Sequence, residues 1–149
     1  MLKENFKVAV PEFPDRKTSI TAYGAVKNVY DDDTGRINAR VINEAIKSMS
    51  SQGGGTVVIP QGVWMTSPIR LLSGVRLYLE RGAVLKFTKN KKDYPLVITN
   101  YEGQECIRTV SPISADGAEN IAISGYGIID GSVDLWRPVK QFKLPERQW

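Results

Sequence analysis

Residues able to do chemistry are few in this chain of 149 residues, and their spacing decides what they can do. Asp31-Asp32-Asp33 brings carboxylates together, and a carboxyl pair can protonate a leaving oxygen while activating water. The triplet precedes an apolar-periodic stretch, however, where acidic side chains favour the N-terminal end of a helix dipole, so it reads as a capping segment. Asp130 stands beside Gly131, a turn pair whose carboxylate bonds nearby backbone, and the turn role outweighs a catalytic one. Cys106 is the only cysteine and histidine is absent, which removes an internal disulfide, the usual general base and the commonest metal ligand. A buried structural thiol is the expectation for Cys106. No catalytic residue and no metal ligand is assigned.

Two aromatic and charged pairs are better placed for binding. Tyr101-Glu102 falls in a long loop over 100–111, and Trp136-Arg137 follows the last strand signals. Such rings can stack on sugar faces, and arginine can grip a carboxylate through two bonds. Packing on an outer wall is the competing reading for Trp136 and Trp149. The basic run Lys86, Lys89, Lys91 and Lys92 reads as a solvated loop or a surface for a polyanion. Without interleaved aromatics it gives nucleic acid no support.

The elements that would hold these residues follow from periodicity. Residues 1–19 form an extended lead-in with Pro11 and Pro14 and an edge strand expected around Phe6 to Val10. Ile37, Val41, Ile42, Ala45, Ile46 and Met49 recur at helical spacing, which predicts a helix over 34–50 that Asp33 or Thr34 caps and whose apolar stripe Ile37 begins. Gly53-Gly54-Gly55 ends it as a corner. A phosphate loop needs strand, glycines, then helix, the reverse of this order. Short strand signals then occupy 56–60, 62–67, 75–80, 83–87, 96–99, 112–115, 121–124 and 127–130, with no further helix. The pattern Val75-Arg76-Leu77 with Gly82 returns as Ile121-Ala122-Ile123 with Gly127, 46 residues later, which reads as two turns of about 23 residues each. Coiled short strands that bond to the coil above and below make an all-β solenoid, and the helix suits its first open end.

Composition sets outer limits. With 42% hydrophobic and 24% charged residues and a net charge of +4, the chain fits one folded unit. No apolar run approaches the roughly 20 residues of a membrane span, and no secretory signal is visible at Met1 to Asn5.

Several pieces in order resemble the N-terminal portion of polygalacturonase-like enzymes of glycoside hydrolase family 28. They are Ile20 to Val26, Asn43-Glu44-Ala45-Ile46, Gly53 to Gly62, Val75 to Leu85, Asp93-Tyr94-Pro95, Tyr101-Glu102-Gly103, Ser111-Pro112-Ile113, Asn120 to Gly131 and Trp136. The resemblance covers about residues 20–149 and implies a right-handed parallel β-helix with an N-terminal capping helix, apparently truncated. It also implies inverting hydrolysis of galacturonide links in pectin, without metal or cofactor, by a secreted or periplasmic enzyme. The family's Asn-Thr-Asp and Gly-His-Gly motifs are missing, and Asp31-Asp32-Asp33 and Arg36-Ile37-Asn38 only imitate its Asp-Asp and Arg-Ile-Lys motifs. The chain taken alone is therefore expected to be inactive. Its substrate contacts are expected at Tyr101, Glu102, Trp136 and Arg137, and its partner is a pectin-type polysaccharide or oligogalacturonide, with no nucleic acid and no membrane. An uncovered last coil would let it self-associate, with order failing beyond about Trp136. Two alternatives stand beside this reading: a non-catalytic, tailspike-like β-helix module, and a pectate lyase using calcium on clustered carboxylates.

Overall fold

The acidic triplet folds as a helix start. Asp31 caps α1 (Asp32–Ser51), its carboxylate accepting from the Thr34 amide at 2.7 Å, a bond that holds the Asp31 pKa below its ordinary value. The computed structural model describes residues 9–136. The helix starts two residues earlier than the apolar spacing suggests, and its buried stripe omits Ile37 but includes Thr34, Gly35, Asn38 and Ala39. Ile37 is 43% exposed, whereas Asn38 is fully buried. The Asn38 amide explains this exchange: it accepts from the Val26 N–H and donates to the Val26 and Met65 carbonyls, each at 2.8 Å. A buried asparagine is tolerated because it is fully engaged.

Three rungs of a coil stack beneath the helix. The first holds β2 (Gly55–Ile59), β3 (Gly62–Thr66) and β4 (Ile69–Arg70). The second holds β5 (Val75–Leu79), β6 (Ala83–Phe87) and, after an excursion, β9 (Ile113–Ser114). The third holds β10 (Ala122–Gly125) and β11 (Ile128–Asp130). All coil-to-coil pairs are parallel, in the orders β2-β5-β10, β11-β6-β3 and β4-β9. Such parallel crossovers build the right-handed β-helix. The inward side chains form ladders, Val57-Leu77-Ile123 and Trp64-Leu85-Ile129, whose first two members are at most 1% exposed.

The edge strand of this stack is β1 (Lys17–Ser19), paired with β2. It does not lie where the sequence places it: Ala9 and Val10 carry no strand, and residues 6–8 lie outside the described residues. Pro11 and Pro14 lack the N–H a strand ladder needs, so the chain joins the β2 edge only from Arg16 and Lys17 on.

The 46-residue interval is one coil, not two. Leu77 pairs with Val57, 20 residues before it (77 − 57), and Ile123 pairs directly with Leu77, 46 residues after it (123 − 77). The surplus leaves the coil between β6 and β9 as an antiparallel hairpin of β7 (Leu96–Tyr101) and β8 (Gln104–Thr109). The segment 100–111, expected as a loop, thus carries a strand. Glu102 and Gly103 both have positive φ, 52° and 84°, which makes the tight two-residue turn whose twist suits a hairpin. Because Cys106 lies on this outstanding hairpin, it is half-buried rather than buried in the core. At Gly125, a Cβ would stand 2.0 Å from the Leu79 carbonyl oxygen, so the third coil closes on the second only with glycine there.

No helix among the described residues is long and apolar enough to cross a membrane. Replacing Asn38 by leucine should cost about 2–3 kcal/mol by leaving the buried Met65 carbonyl and the part-buried Val26 N–H and carbonyl unpaired by Asn38, while Ile37→Ala should change stability by less than about 0.5 kcal/mol. Urea unfolding of both variants measures the contrast; equal losses would contradict the stripe described.

Candidate functional site

The hairpin insertion creates a cleft. Its inner side, through Val97, Thr99 and Arg108, faces the β4–β9 side of the coil across a volume of about 1370 Å³. The opposite wall contributes Ser67, Arg70 and Asp116, and the floor includes Tyr94 and Trp136. Asn43 of α1 aligns this wall, accepting from the Arg70 N–H at 2.9 Å.

Trp136 reaches the cleft on a short 3₁₀ turn (Val133–Trp136) that follows the last strand. That turn is tied to the second coil by three side chains. The Lys86 ammonium pairs with Asp130, Lys89 pairs with Asp134 at 2.5 Å, and the Ser132 hydroxyl donates to the Phe87 carbonyl at 2.8 Å. The lysine run is therefore not simply a solvated loop; half of it holds the third coil, and Lys91 and Lys92 lie exposed in a 3₁₀ turn (Lys91–Asp93). Asp130 also accepts from the Ser132 N–H at 2.9 Å. The Lys86 bond, then the Ser132 bond, keep its carboxyl below the ordinary range, the state of a fixed anion rather than a proton donor.

Tyr94 is 3% exposed and meets the Trp136 ring edge-on, with centroids 4.9 Å apart and planes at 74°. Burial pushes its hydroxyl pKa up, so it stays protonated and donates to the Thr88 carbonyl at 2.8 Å. Tyr101 and Glu102 do not line the cleft. They sit at the hairpin tip, where Tyr101 carries the Arg108 guanidinium 4.2 Å above its ring centre. Arg137 and Trp149 lie outside the described residues, as does any loss of order beyond Trp136. Of the four residues singled out for binding, the structure thus brings Trp136 into the cleft, with Arg108 linking that cleft to Tyr101. Sequence reasoning misses Tyr94, Arg70, Arg108 and Asp116, because only the hairpin and the β4–β9 pairing bring them together. The indole N–H of Trp136 and the hydroxyl of Ser67 are buried without a partner among the described residues. Arg70 pairs with Asp116 at 3.3 Å and Arg108 lies over Tyr101. An aromatic platform, these two exposed guanidinium groups and two unpaired polar atoms can together receive a flat-faced molecule rich in hydroxyl or carboxylate groups.

The class these features define is a helix-capped right-handed parallel β-helix with a side cleft. Known proteins narrow it. The chain is 34% identical over 122 residues to an exo-poly-alpha-D-galacturonosidase of Dickeya chrysanthemi, covering 76% of this chain and 19% of that protein. An iota-carrageenase of Zobellia galactanivorans is 35% identical over 75 residues, half of this chain and 14% of its own. Among solved structures, an exopolygalacturonase from Thermotoga maritima superposes with a TM-score of 0.73 at 35% identity, covering 84% of this chain and 27% of that one. The family 28 exopolygalacturonase of Yersinia enterocolitica does so at 0.66 and 29%, covering 79% and 21%. No family model matches the chain. The chain is polygalacturonase-like, similar to part of the glycoside hydrolase family 28 enzymes, and it spans about a fifth of the length of the Dickeya relative.

The Asp130 pairing gives a pH prediction. Its folded pKa is depressed, so its stabilising effect is complete above the ordinary carboxylate value of about 3.9 and is lost as pH falls through the lower folded value. A carboxyl-carbon NMR titration should show the depressed midpoint, and Lys86→Met should move it up; an unmoved midpoint would dismiss the lysine as its cause.

Proposed function

We propose that this chain is the N-terminal, helix-capped part of a glycoside hydrolase that cleaves galacturonide links in pectin with inversion, and that it supplies scaffold and a binding cleft rather than the catalytic groups. What carries the reading is the cleft: an aromatic platform with two arginines and two unpaired buried polar atoms, on a coil that is similar to exopolygalacturonases over most of this chain. Inversion needs two carboxyl groups set about 6.5–9.5 Å apart around a water. Asp130 is committed to Lys86 and Ser132, and Asp93 to Arg36 and Thr88. Neither is free to serve as such a pair.

In this reading Trp136 stacks on a sugar face and Arg70 or Arg108 meets a uronate carboxylate, while Tyr101 and Glu102 act from the hairpin rim; Arg137, outside the described residues, is a further candidate contact. Calorimetric titration with oligogalacturonate should show binding that Trp136→Ala weakens roughly tenfold. Reducing-end release from polygalacturonate should stay at background. Sustained turnover by the purified chain would refute the division between scaffold and catalysis, and tighter binding of a sulfated galactan than of oligogalacturonate would refute the pectin assignment.

A second reading, assembly through the last coil, rests on the exposed ends of the ladders. Ile123 and Ile129 hold inward positions yet are 45% and 43% exposed, and β10 and β11 are the outermost strands of their sheets. Sedimentation should find concentration-dependent self-association that Ile123→Lys with Ile129→Lys reduces; a monomer at all concentrations would dismiss it.

A further inference from the structure

The first turn of α1 touches more than the coil it covers. Between β6 and the hairpin runs a strap, residues 88–94, and both of its ends are bonded to that turn. Asn90 donates its side-chain amide to Asp32 at 3.0 Å, and Arg36 Nε donates to Asp93 at 2.8 Å while its Nη1 donates to Asp33 at 2.6 Å. Gly35 lies so close that a Cβ there would stand 2.3 Å from the Thr88 methyl. Thr88, fully buried, donates its hydroxyl to Asp93 at 3.0 Å and accepts from the Tyr94 hydroxyl through its carbonyl. Tyr94 then meets Trp136 edge-on. An unbroken run of short contacts therefore leads from the helix start to the indole in the cleft.

We propose that the first turn of α1 is a positioning element for the cleft: through Arg36–Asp93, Asn90–Asp32 and the Gly35–Thr88 contact it fixes Tyr94, and Tyr94 fixes the angle at which Trp136 is presented. The physical ground is that an edge-to-face pair has a preferred geometry, so moving one ring moves the other. Lys89–Asp134 and Ser132–Phe87 set where the Trp136 turn lies, and Tyr94 sets the ring. The consequence for binding rests on the saccharide reading of the cleft; the positioning itself does not.

The test exploits a second tryptophan. Trp64 donates its indole N–H to the Pro60 carbonyl at 2.7 Å, deep in the first coil, and reports on general integrity. In nitrogen-15 NMR spectra of the full chain, with indole signals assigned by Trp→Phe changes, Arg36→Gln and Asp93→Asn should each shift the Trp136 signal and leave that of Trp64 in place. Arg36→Lys should return the Trp136 signal part of the way. Trigalacturonate affinity should fall roughly three- to tenfold in the first two variants. If the Trp136 signal stays put in both, the positioning role is wrong. If it shifts but the unaltered chain binds no trigalacturonate, the positioning role holds and the saccharide reading fails. Should either variant unfold, Tyr94→Phe, which deletes only the bond to Thr88, replaces it: a shifted Trp136 signal supports the positioning role and an unmoved one overturns it.

Discussion

Everything in this fold depends on giving the first coil something to bond to. In a parallel coil every strand sends its N–H and C=O groups to a neighbour above and below, so the first strands would face solvent or apolar surface unpaired. The chain solves this without building another coil. β1 pairs with β2 through backbone alone. For β3, Asn28 imitates a strand, its N–H donating to the Val63 carbonyl at 2.7 Å and its side chain accepting from the Val63 N–H at 3.0 Å. Asn38 reaches the Met65 carbonyl, the Gly35 carbonyl accepts from the Ser67 N–H, and Asn43 accepts from the Arg70 N–H. The cap is thus polar chemistry placed at coil register, over which the apolar stripe of α1 lies.

The second constraint is register through an insertion. The hairpin lengthens the second coil from 20 to 46 residues, yet Leu77-Ile123 and Leu85-Ile129 stay aligned. Loop length adds little to closure entropy, roughly 0.6 kcal/mol per doubling, whereas a one-residue slip would turn every ladder side chain outward. The solenoid can therefore extrude a binding element at a single corner without loss of its core. A cleft formed this way has one wall from the coil and one from the insertion, which explains why its residues are distant in sequence.

This also explains what can be read from the sequence. The strands and the helix are legible because period-two and helical spacing are local signals, as in Val75-Arg76-Leu77 or Ile42-Ala45-Ile46. Ile37 and Asn38 exchange places because hydropathy ranks isoleucine inward, while burial of asparagine depends on partners at Val26 and Met65, distant in sequence. The second strand of the hairpin reads as a loop because Gln104-Glu105-Cys106-Ile107-Arg108 is polar on a strand that buries little, and Glu-Gly lacks the usual asparagine of its turn. The 46-residue interval resembles two coils because spacing alone cannot separate a repeat from a repeat with an insertion. Trp136 stands out in the sequence only as an isolated ring beside a charge; its partners in the cleft come from three other segments.

The two ends of the described coil differ in kind, and the cleft draws on both, through Asn43 and Arg70 at one and Trp136 at the other. At the helix end, main-chain groups of β2, β3 and β4 find partners in the cap. At the other, Ile123, Ile128 and Ile129 are 45%, 60% and 43% exposed. The third coil is tied to the second by Lys86–Asp130, Lys89–Asp134 and Ser132–Phe87, polar contacts that add to the Leu77-Ile123 and Leu85-Ile129 ladders. Partly exposed ion pairs of this sort contribute little to stability, so their value lies in direction. They place the turn that carries Trp136 over the second coil, where Tyr94 and the hairpin meet it. The site is thus assembled by the first two coils and the hairpin between them, with the last strands serving mainly to deliver one aromatic ring.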